Sequence, residues 1–510
     1  MNVAGKLVEI LEEEGIEDIF GIPGEQIMPF YKALSDSGIN HILTRHEQAA
    51  AHAADGYARS SGKIGVCLAT ASPGALNFTM AVATAFKDNV PILVLTGDNE
   101  LKYRGTDHFQ TTPQVEIFKN ITRASYNPLN GTEATYMLRA ALYELKTIPK
   151  GPIHINLSKD VLLAEEFEDF KLCYLCEDDM SNISKAQELI DNSQRPLFIL
   201  GAGAISQSSE IQRIAEEYQI PVTTTFHGKG IISEHDELNL GLVGIRSTPR
   251  AKYAFENADC IMALGIKASE RTLPEIPDNL IHVNINRDVL VGDYPIHGKV
   301  EDFLDEIEFS KVDWLDEILE IDDTVVIEGL DDEMKPQAAI KRILEKYPEN
   351  IIVSDAGSHT TWTTLLKKSI KPGQLLFSGA MAPMGYGLPA AIGAGIATGE
   401  KIIVINGDGD FQMNLQELAT LRGNGLDVIV FILNNSEFSI IRQWQEDFYG
   451  MEPYQVHLNN PDFVKLAASY GIDAIRVDNL SDLEIVLDKD LEGPLVVEVL
   501  VESENIPLPK

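Results

Sequence analysis

Short apolar runs rich in β-branched residues alternate along the chain with segments of helical periodicity. The runs are Gly65–Leu68, Pro91–Leu95, Ile153–Leu157, Leu197–Leu200, Cys260–Leu264, Ile281–Ile285, Ile351–Val353, Ile402–Ile405, Val428–Leu433 and Leu495–Val501. Helical patterns lie between them, among others at Ala4–Glu14, Gln187–Asn192, Ser209–Tyr218, Pro336–Tyr347 and Asn414–Arg422. This alternation predicts βαβ units, and so parallel sheets with helices on both faces. Two acidic, poorly periodic stretches, Ala164–Met180 and Glu306–Glu333, interrupt it. Read as linkers, they give three doubly wound α/β domains at 1–165, 181–305 and 334–510. No fixed-period repeat accompanies them.

A chain of 510 residues suits three domains of ordinary size. Apolar content of 44% and charged content of 23% supply core material and argue against general disorder. The net charge of −37 changes the picture more. It argues against a nucleic-acid partner, which needs a basic face, and against an anionic membrane surface. Four cysteines in such a length are no disulfide framework. Cys173 and Cys176 form a single C-x-x-C without a second pair, so a buried strand entering a linker is expected rather than zinc. Cys67 and Cys260 stand alone. The N-terminus lacks a basic stretch followed by an apolar one, and the longest apolar runs fall far short of the roughly 20 residues of a membrane span. A cytoplasmic protein is expected.

The sharpest chemical signal lies in the last domain. Strand Ile402–Ile405 runs into Gly407-Asp408-Gly409-Asp410, and strand Val428–Leu433 ends in Asn434-Asn435. In open α/β sheets ligands bind at the carboxyl ends of strands. Glycines beside Asp408 let backbone approach a phosphate closely. A carboxylate and an amide oxygen from neighbouring strand ends suit a hard cation such as Mg²⁺ bridging a diphosphate. A lone Gly-Asp-Gly is usually a plain turn. With the spacer and the paired Asn, it resembles the diphosphate motif of thiamine diphosphate (ThDP) enzymes.

The resemblance then narrows. Gly407–Asn435 with Arg442-Gln443-Trp444-Gln445, and Ser378-Gly379 with Met384-Gly385-Tyr386-Gly387-Leu388-Pro389, resemble the acetolactate synthase (acetohydroxyacid synthase) large-subunit family. So do Phe20-Gly21-Ile22-Pro23-Gly24, Arg45-His46-Glu47, Ser72-Pro73-Gly74 and Gly105–Gln110 in the first domain. The family plan of pyrimidine-binding, central and diphosphate-binding domains matches the three expected here.

The resemblance implies a role for each matching residue. Glu47 would bond N1′ of the cofactor's aminopyrimidine and promote loss of the C2 proton, the protein supplying orientation and proton relay. Asp408 and Asn435 would be side-chain Mg²⁺ ligands, and Glu437 would complete coordination through its carbonyl. Gly357, Ser358 and His359 match the diphosphate side, with Gly407 and Gly409, and Met384 matches the apolar support under the thiazolium. Gln110 and Lys159 line the site. Phe109, Arg271 and Trp444 match substrate-binding positions: Arg271 for the second substrate's carboxylate, which guanidinium holds bidentately, and Trp444 as the wall that favours 2-oxobutanoate. Out of this context each has a bland reading: Glu47 as a helix-first-turn acid, Met384 as filler, Arg271 as a surface ion pair, Trp444 as a core aromatic.

The implied reaction joins the hydroxyethyl unit of decarboxylated pyruvate to a second 2-oxo acid, pyruvate or 2-oxobutanoate. A homodimer or homotetramer is implied, with room for a small regulatory subunit. Departures qualify the match. The family's Gly-Gly-Ala after the first Pro is here Gly24-Glu25-Gln26, in a loop reaching toward the active centre. Ser358 replaces Gln, Thr111 replaces Glu, and Gly265–Glu270 differs from the usual Gly-Ala-Arg-Phe-Asp-Asp. That last change leaves open the FAD bound by biosynthetic members. Leu200–Ser206 mimics a dinucleotide loop, but the third Gly is missing and no acidic residue ends the next strand, Pro221–Thr225, which argues against NAD.

Two other readings compete. A simple 2-oxo acid decarboxylase would protonate the intermediate, and many use an adjacent His pair; none of the 11 His here neighbours another. A catalytically silent paralogue acting as a binding subunit would not need Glu47, Asp408 and Asn435.

Overall fold

The computed structural model describes residues 1–147, 150–169, 179–324, 327–332 and 334–507. They hold three parallel six-stranded sheets. The first comprises β1 (Asp18–Gly21), β2 (Asn40–Leu43), β3 (Gly65–Ala69), β4 (Ile92–Asp98), β5 (Ala124–Tyr126) and β6 (Ile153–Ser158) in the order β2-β1-β3-β4-β6-β5. The second comprises β7 (Pro196–Leu200), β8 (Val222–Thr224), β9 (Asn239–Leu242), β10 (Cys260–Leu264), β11 (Leu280–Asn284) and β12 (Tyr294–His297), ordered β12-β11-β10-β7-β8-β9. The third comprises β13 (Ile351–Ser354), β14 (Leu375–Leu376), β15 (Ile402–Gly407), β16 (Val428–Asn434), β17 (Asp473–Val477) and β18 (Leu495–Leu500), ordered β14-β13-β15-β16-β18-β17. The expected α/β class is borne out.

Central strands such as β3, β10 and β16 are buried along their whole length. Helices cover both faces of such sheets, which is why these strands read as continuous apolar runs rather than alternating ones. β1 and the edge strand β2 beside it are only four residues long, and β2 is half exposed; neither leaves a long apolar run in the sequence. The expected helix at Asn414–Arg422 is a 3-10 turn, Leu415–Glu417, followed by a short helix, Leu418–Gly423.

By compactness the chain forms two units. One takes the described parts of 1–174, 331–365 and 376–506, and so the first and third sheets; the other takes those of 175–330 with 366–375 and holds the second. Both acidic stretches pack more than linkers would. Trp314 is buried in the second core and donates its indole N–H to the Pro196 carbonyl (3.1 Å). Phe167 packs on the first core, and Arg139 holds Asp169 at 2.6 Å. Cys173 and Cys176 lie outside the described residues.

Within the first unit two helices cross backbone to backbone. Helix Glu47–Ser61 and helix Gly387–Thr398 meet where Gly56 faces Ala390 and Gly393 faces Ala53. A Cβ on Gly56 would stand 2.1 Å from the Ala390 carbonyl oxygen, and one on Gly393 would stand 1.9 Å from that of Ala53. Only glycine permits this approach. Beside the crossing, Arg59 pairs with Asp55 (2.6 Å) and Asp88 (2.7 Å), and Tyr386 donates to Asp55 (2.8 Å). Among the described residues no helix is long and apolar enough to cross a membrane.

Candidate cofactor site

The third sheet brings its polar strand ends together. β15 pairs with β16 in a register that sets Gly407 opposite Leu433, so Asp408 and the Asn434-Asn435 pair leave adjacent strands side by side. Asp408 is buried and receives an N–H bond from Asn460 (2.5 Å); the same amide donates to Asn434 Oδ1 (2.9 Å). Burial raises the Asp408 carboxyl above its ordinary value, so a cation there would offset the cost of a buried negative charge. Asn435 accepts the Glu437 N–H (3.1 Å) and donates to Ser439 Oγ (2.5 Å). The Glu437 carboxylate is taken by Arg442 (2.9 Å) and Ser503 (2.5 Å), which suits its expected use through the carbonyl. Among the described residues no three His, Cys, Asp or Glu side chains gather as a metal site; the set here has one carboxylate with amide and carbonyl oxygens, the donors of a hard cation.

The glycines at this end are required by space. A Cβ on Gly407 would stand 2.7 Å from Asp410 Oδ2, and one on Gly409 would stand 2.4 Å from the Phe438 ring. At the end of β13, Gly357 and Ser358 lead into helix Ser358–Leu366, whose second residue is His359. His359 is buried, its Cε1 lies 3.3 Å from the Gly407 Cβ position, and its Nε2 makes no hydrogen bond, Asp410 Oδ2 lying 3.7 Å away. Burial holds the imidazole down to about 4, so it is neutral. A buried ring nitrogen without a partner is costly, and one beside a glycine-walled strand end fits a phosphate oxygen.

Two further carboxylates organise the surrounding backbone. Asp355 accepts the N–H groups of Ala356 (2.7 Å), Gly385 (3.0 Å) and Gly387 (2.6 Å), which holds the loop carrying Met384. Asp410 accepts the Gly407 N–H (2.8 Å). The Asn406 amide donates to both acids. Burial moves Asp355 up to about 6, and Asp410 is raised by burial and by Asp355.

In the first sheet Glu47 opens its helix directly after β2, capped by His46, and is half-buried. Asn77 donates to its Oε2 (2.8 Å), while Oε1 lies 3.0 Å from the Cβ position of Gly74. Ser72 donates to the Gln110 carbonyl (2.8 Å), and Gln110 adopts a left-handed conformation (φ 57°). Glu47, Gly74, Ser72 and Gln110 are thus neighbours, with Phe109 exposed on the same loop and its carbonyl bonded to Asn99 (2.8 Å). Lys159 begins the helix after β6 and pairs with Glu25 at 3.2 Å. Gln26 is buried against Thr70.

Trp444 is partly exposed on helix Ser439–Asp447. Arg271 belongs to the second unit, on the segment after β10, where its carbonyl accepts the Ile245 N–H (3.0 Å). Burial, and then the nearby Arg271 charge, lower the neighbouring Arg246 below the usual guanidinium value.

Asp355, Asn406, Asp410, Glu417 and Asn460 were absent from the sequence-derived set. Asp355 and Asn406 had a visible signal, since each interrupts an apolar strand at its carboxyl end. Asn460 had none, because it comes from 52 residues beyond the carboxylate it holds.

Comparison with known proteins gives three family models in chain order. The N-terminal TPP binding domain of thiamine pyrophosphate enzymes matches residues 1–117, their central domain 183–307, and their C-terminal TPP binding domain 355–499. A Methanocaldococcus jannaschii protein named "Probable acetolactate synthase large subunit" is 36% identical over 551 aligned residues, covering 100% of this chain and 93% of that one. The acetolactate synthase large subunit of Lactococcus lactis is 35% identical, covering 99% and 93%. The chloroplastic acetolactate synthase 1 of Nicotiana tabacum is 32% identical, covering 99% and 82%.

Proposed function

The chain belongs to the acetolactate synthase large-subunit family of thiamine pyrophosphate enzymes, and on that premise we propose that it decarboxylates pyruvate and joins the two-carbon unit to a second 2-oxo acid. The observation that carries the reading is the pairing of strand ends, Gly407-Asp408 against Asn434-Asn435, beside the unpartnered nitrogen of His359. Asp408, Asn435 and the Glu437 carbonyl hold Mg²⁺, and Gly357–His359 with Gly407–Gly409 hold the diphosphate. Met384 supports the ring system from a loop fixed by Asp355. Bound ThDP supplies a nucleophilic carbon and an electron sink for decarboxylation.

Glu47 bonds the pyrimidine. Asn77 fixes one of its oxygens, so the other is the one that manages the proton. Gln110 and Lys159 supply polar contacts, and Phe109 and Trp444 exclude water. Arg271, with Arg246 near it, takes the second substrate's carboxylate. The exposure of Leu43, Phe109, Met413 and Trp444 supports a homodimer or homotetramer in which a second copy covers these apolar side chains; a small regulatory subunit is a further partner in this reading.

FAD does not fit in the same way. In the second sheet the order reverses between β10 and β7, the place where a dinucleotide lies. There Gly203 donates to the Gly265 carbonyl (3.0 Å), and a Cβ on Gly265 would stand 2.5 Å from Gly203 backbone. The two turns meet backbone to backbone at that point of the sheet.

Product analysis tests the proposal. Purified protein with Mg²⁺, ThDP and pyruvate, with and without 2-oxobutanoate, should release one acetolactate-type product per carbon dioxide, and Glu47→Gln should reduce this to a small residual rate. Acetaldehyde without acetolactate would make the protein a decarboxylase. No turnover of any 2-oxo acid would favour a silent paralogue.

A further inference from the structure

Glu417 is fully buried, on the 3-10 turn that follows the Gly407–Asp410 segment. Its carboxylate accepts the Arg45 N–H with both oxygens (2.9 and 3.2 Å), the His46 N–H (3.0 Å) and the Thr420 hydroxyl (2.6 Å). Thr420 in turn reaches the Leu43 carbonyl (3.3 Å). These bonds converge on the stretch between the end of β2 and Glu47. Two consecutive N–H groups there point inward, where neither sheet nor helix supplies an acceptor, and an unmet buried donor is costly. A carboxylate has lone pairs for both N–H groups and the hydroxyl at once; a side-chain amide has one accepting oxygen and would turn its own N–H groups toward the other donors.

We infer that Glu417 is a positioning residue for the reaction: by fixing the peptide at Arg45 and His46 it sets the direction in which the Glu47 carboxylate leaves the helix N-terminus. The inference rests on the reading of Glu47 given above. Asn77 holds Glu47 from the side-chain end, and Glu417 holds it from the backbone end. Burial raises the Glu417 carboxyl above its ordinary value, and the donors aimed at it favour the ionised form.

The test is a double-variant cycle on the Mg²⁺- and ThDP-loaded full chain with pyruvate, reading kcat and KM separately and the melting temperature of each protein. Glu417→Gln should lower kcat by about 10- to 100-fold, the range that a misplacement near 1 Å produces, with KM for pyruvate changed by less than about threefold. Glu47→Gln should keep only a small residual turnover, measured at high enzyme concentration, and Glu47→Gln/Glu417→Gln should turn over within about twofold of Glu47→Gln alone, because a residue that acts through Glu47 has nothing left to act on. If Glu417→Gln fails to fold, Thr420→Val replaces it in the same cycle with a smaller expected loss. Wild-type kcat in Glu417→Gln (or in Thr420→Val where it stands in) with Glu47→Gln at its small residual turnover would overturn this inference alone. A double variant that falls as far below Glu47→Gln as the single does below wild type would overturn it too, showing an independent structural role. Wild-type activity in Glu47→Gln would overturn the underlying reading and this inference together.

Discussion

Gly393→Ala should destabilise the protein although it sits within a helix, where alanine is ordinarily the better residue. The helix-propensity term favours the substitution by about 1 kcal/mol. Against it, the new Cβ would stand 1.9 Å from the Ala53 carbonyl oxygen, whereas ordinary contact begins at 3.4 Å, so the two helices must separate by the difference of 1.5 Å. Overpacking of a tight interior costs about 1–3 kcal/mol, and a gap of even 0.5–1 Å forfeits roughly a quarter to a half of each dispersion contact along the seam. The net expectation is a loss of about 2 kcal/mol. Because one of these helices begins at Glu47 and the other follows the Met384 loop, kcat should fall along with stability.

Urea unfolding of wild type and variant gives the first quantity, and pyruvate turnover gives the second. Gly423→Ala is the control: it closes helix Leu418–Gly423 with nothing within 4 Å of its Cβ position, and it should be neutral or stabilising by up to about 1 kcal/mol. If Gly393→Ala were as stable and as active as wild type, the close crossing would be wrong as a physical description of this seam.

Other substitutions test separate parts of the argument. His52 is fully buried with neither ring nitrogen bonded, and burial holds it down to about 3; His52→Leu should match or exceed wild-type stability at pH 7. A depressed histidine favours the native state above its unfolded value of about 6.5 and loses that contribution as pH falls toward 3. The advantage of His52→Leu should therefore widen by about 1.4 kcal/mol per pH unit below pH 6, and parallel profiles from pH 7 to 4 would refute the assignment. Glu25→Ala frees Lys159 from its 3.2 Å ion pair; it should lower KM for pyruvate about two- to fivefold at low salt and less at high salt, and an unchanged KM would remove Lys159 as a polar contact to bound pyruvate. Trp444→Leu should reduce the yield of the 2-oxobutanoate product relative to acetolactate in mixed-substrate assays, with total carbon dioxide release little changed; an unchanged product ratio would remove it as the acceptor wall.

Most of the fold was legible because buried parallel strands are written as apolar runs. β10 is predicted to the residue, and β3, β7 and β16 to within one. β1 and the edge strand β2 left no such run because each is only four residues long and β2 is half exposed. The acidic stretch around Trp314 shows no periodicity for a related reason: Ile307, Trp314 and Ile318 are its buried anchors, too few and too irregularly spaced to form a pattern. At the site, residues adjacent in sequence to a strand end were found, and those arriving from distant loops were not. Asn460 and Glu417 act by reaching across the fold, and no local pattern encodes such a reach. The Glu25–Lys159 pair was visible only as a departure from family pattern, and what Glu25 touches needed the structure.

The glycine seam between helices Glu47–Ser61 and Gly387–Thr398 also bears on how such proteins diverge and recombine. Each glycine is matched to one carbonyl on the opposite helix, so a change in one helix is tolerated only if the other already accommodates it. Sequence drift along the two must therefore be correlated, although more than three hundred residues separate them in the chain. A chimera that took its first domain from one relative and its last from another would inherit two half-seams without shared history, and would need both helices from a single parent to assemble.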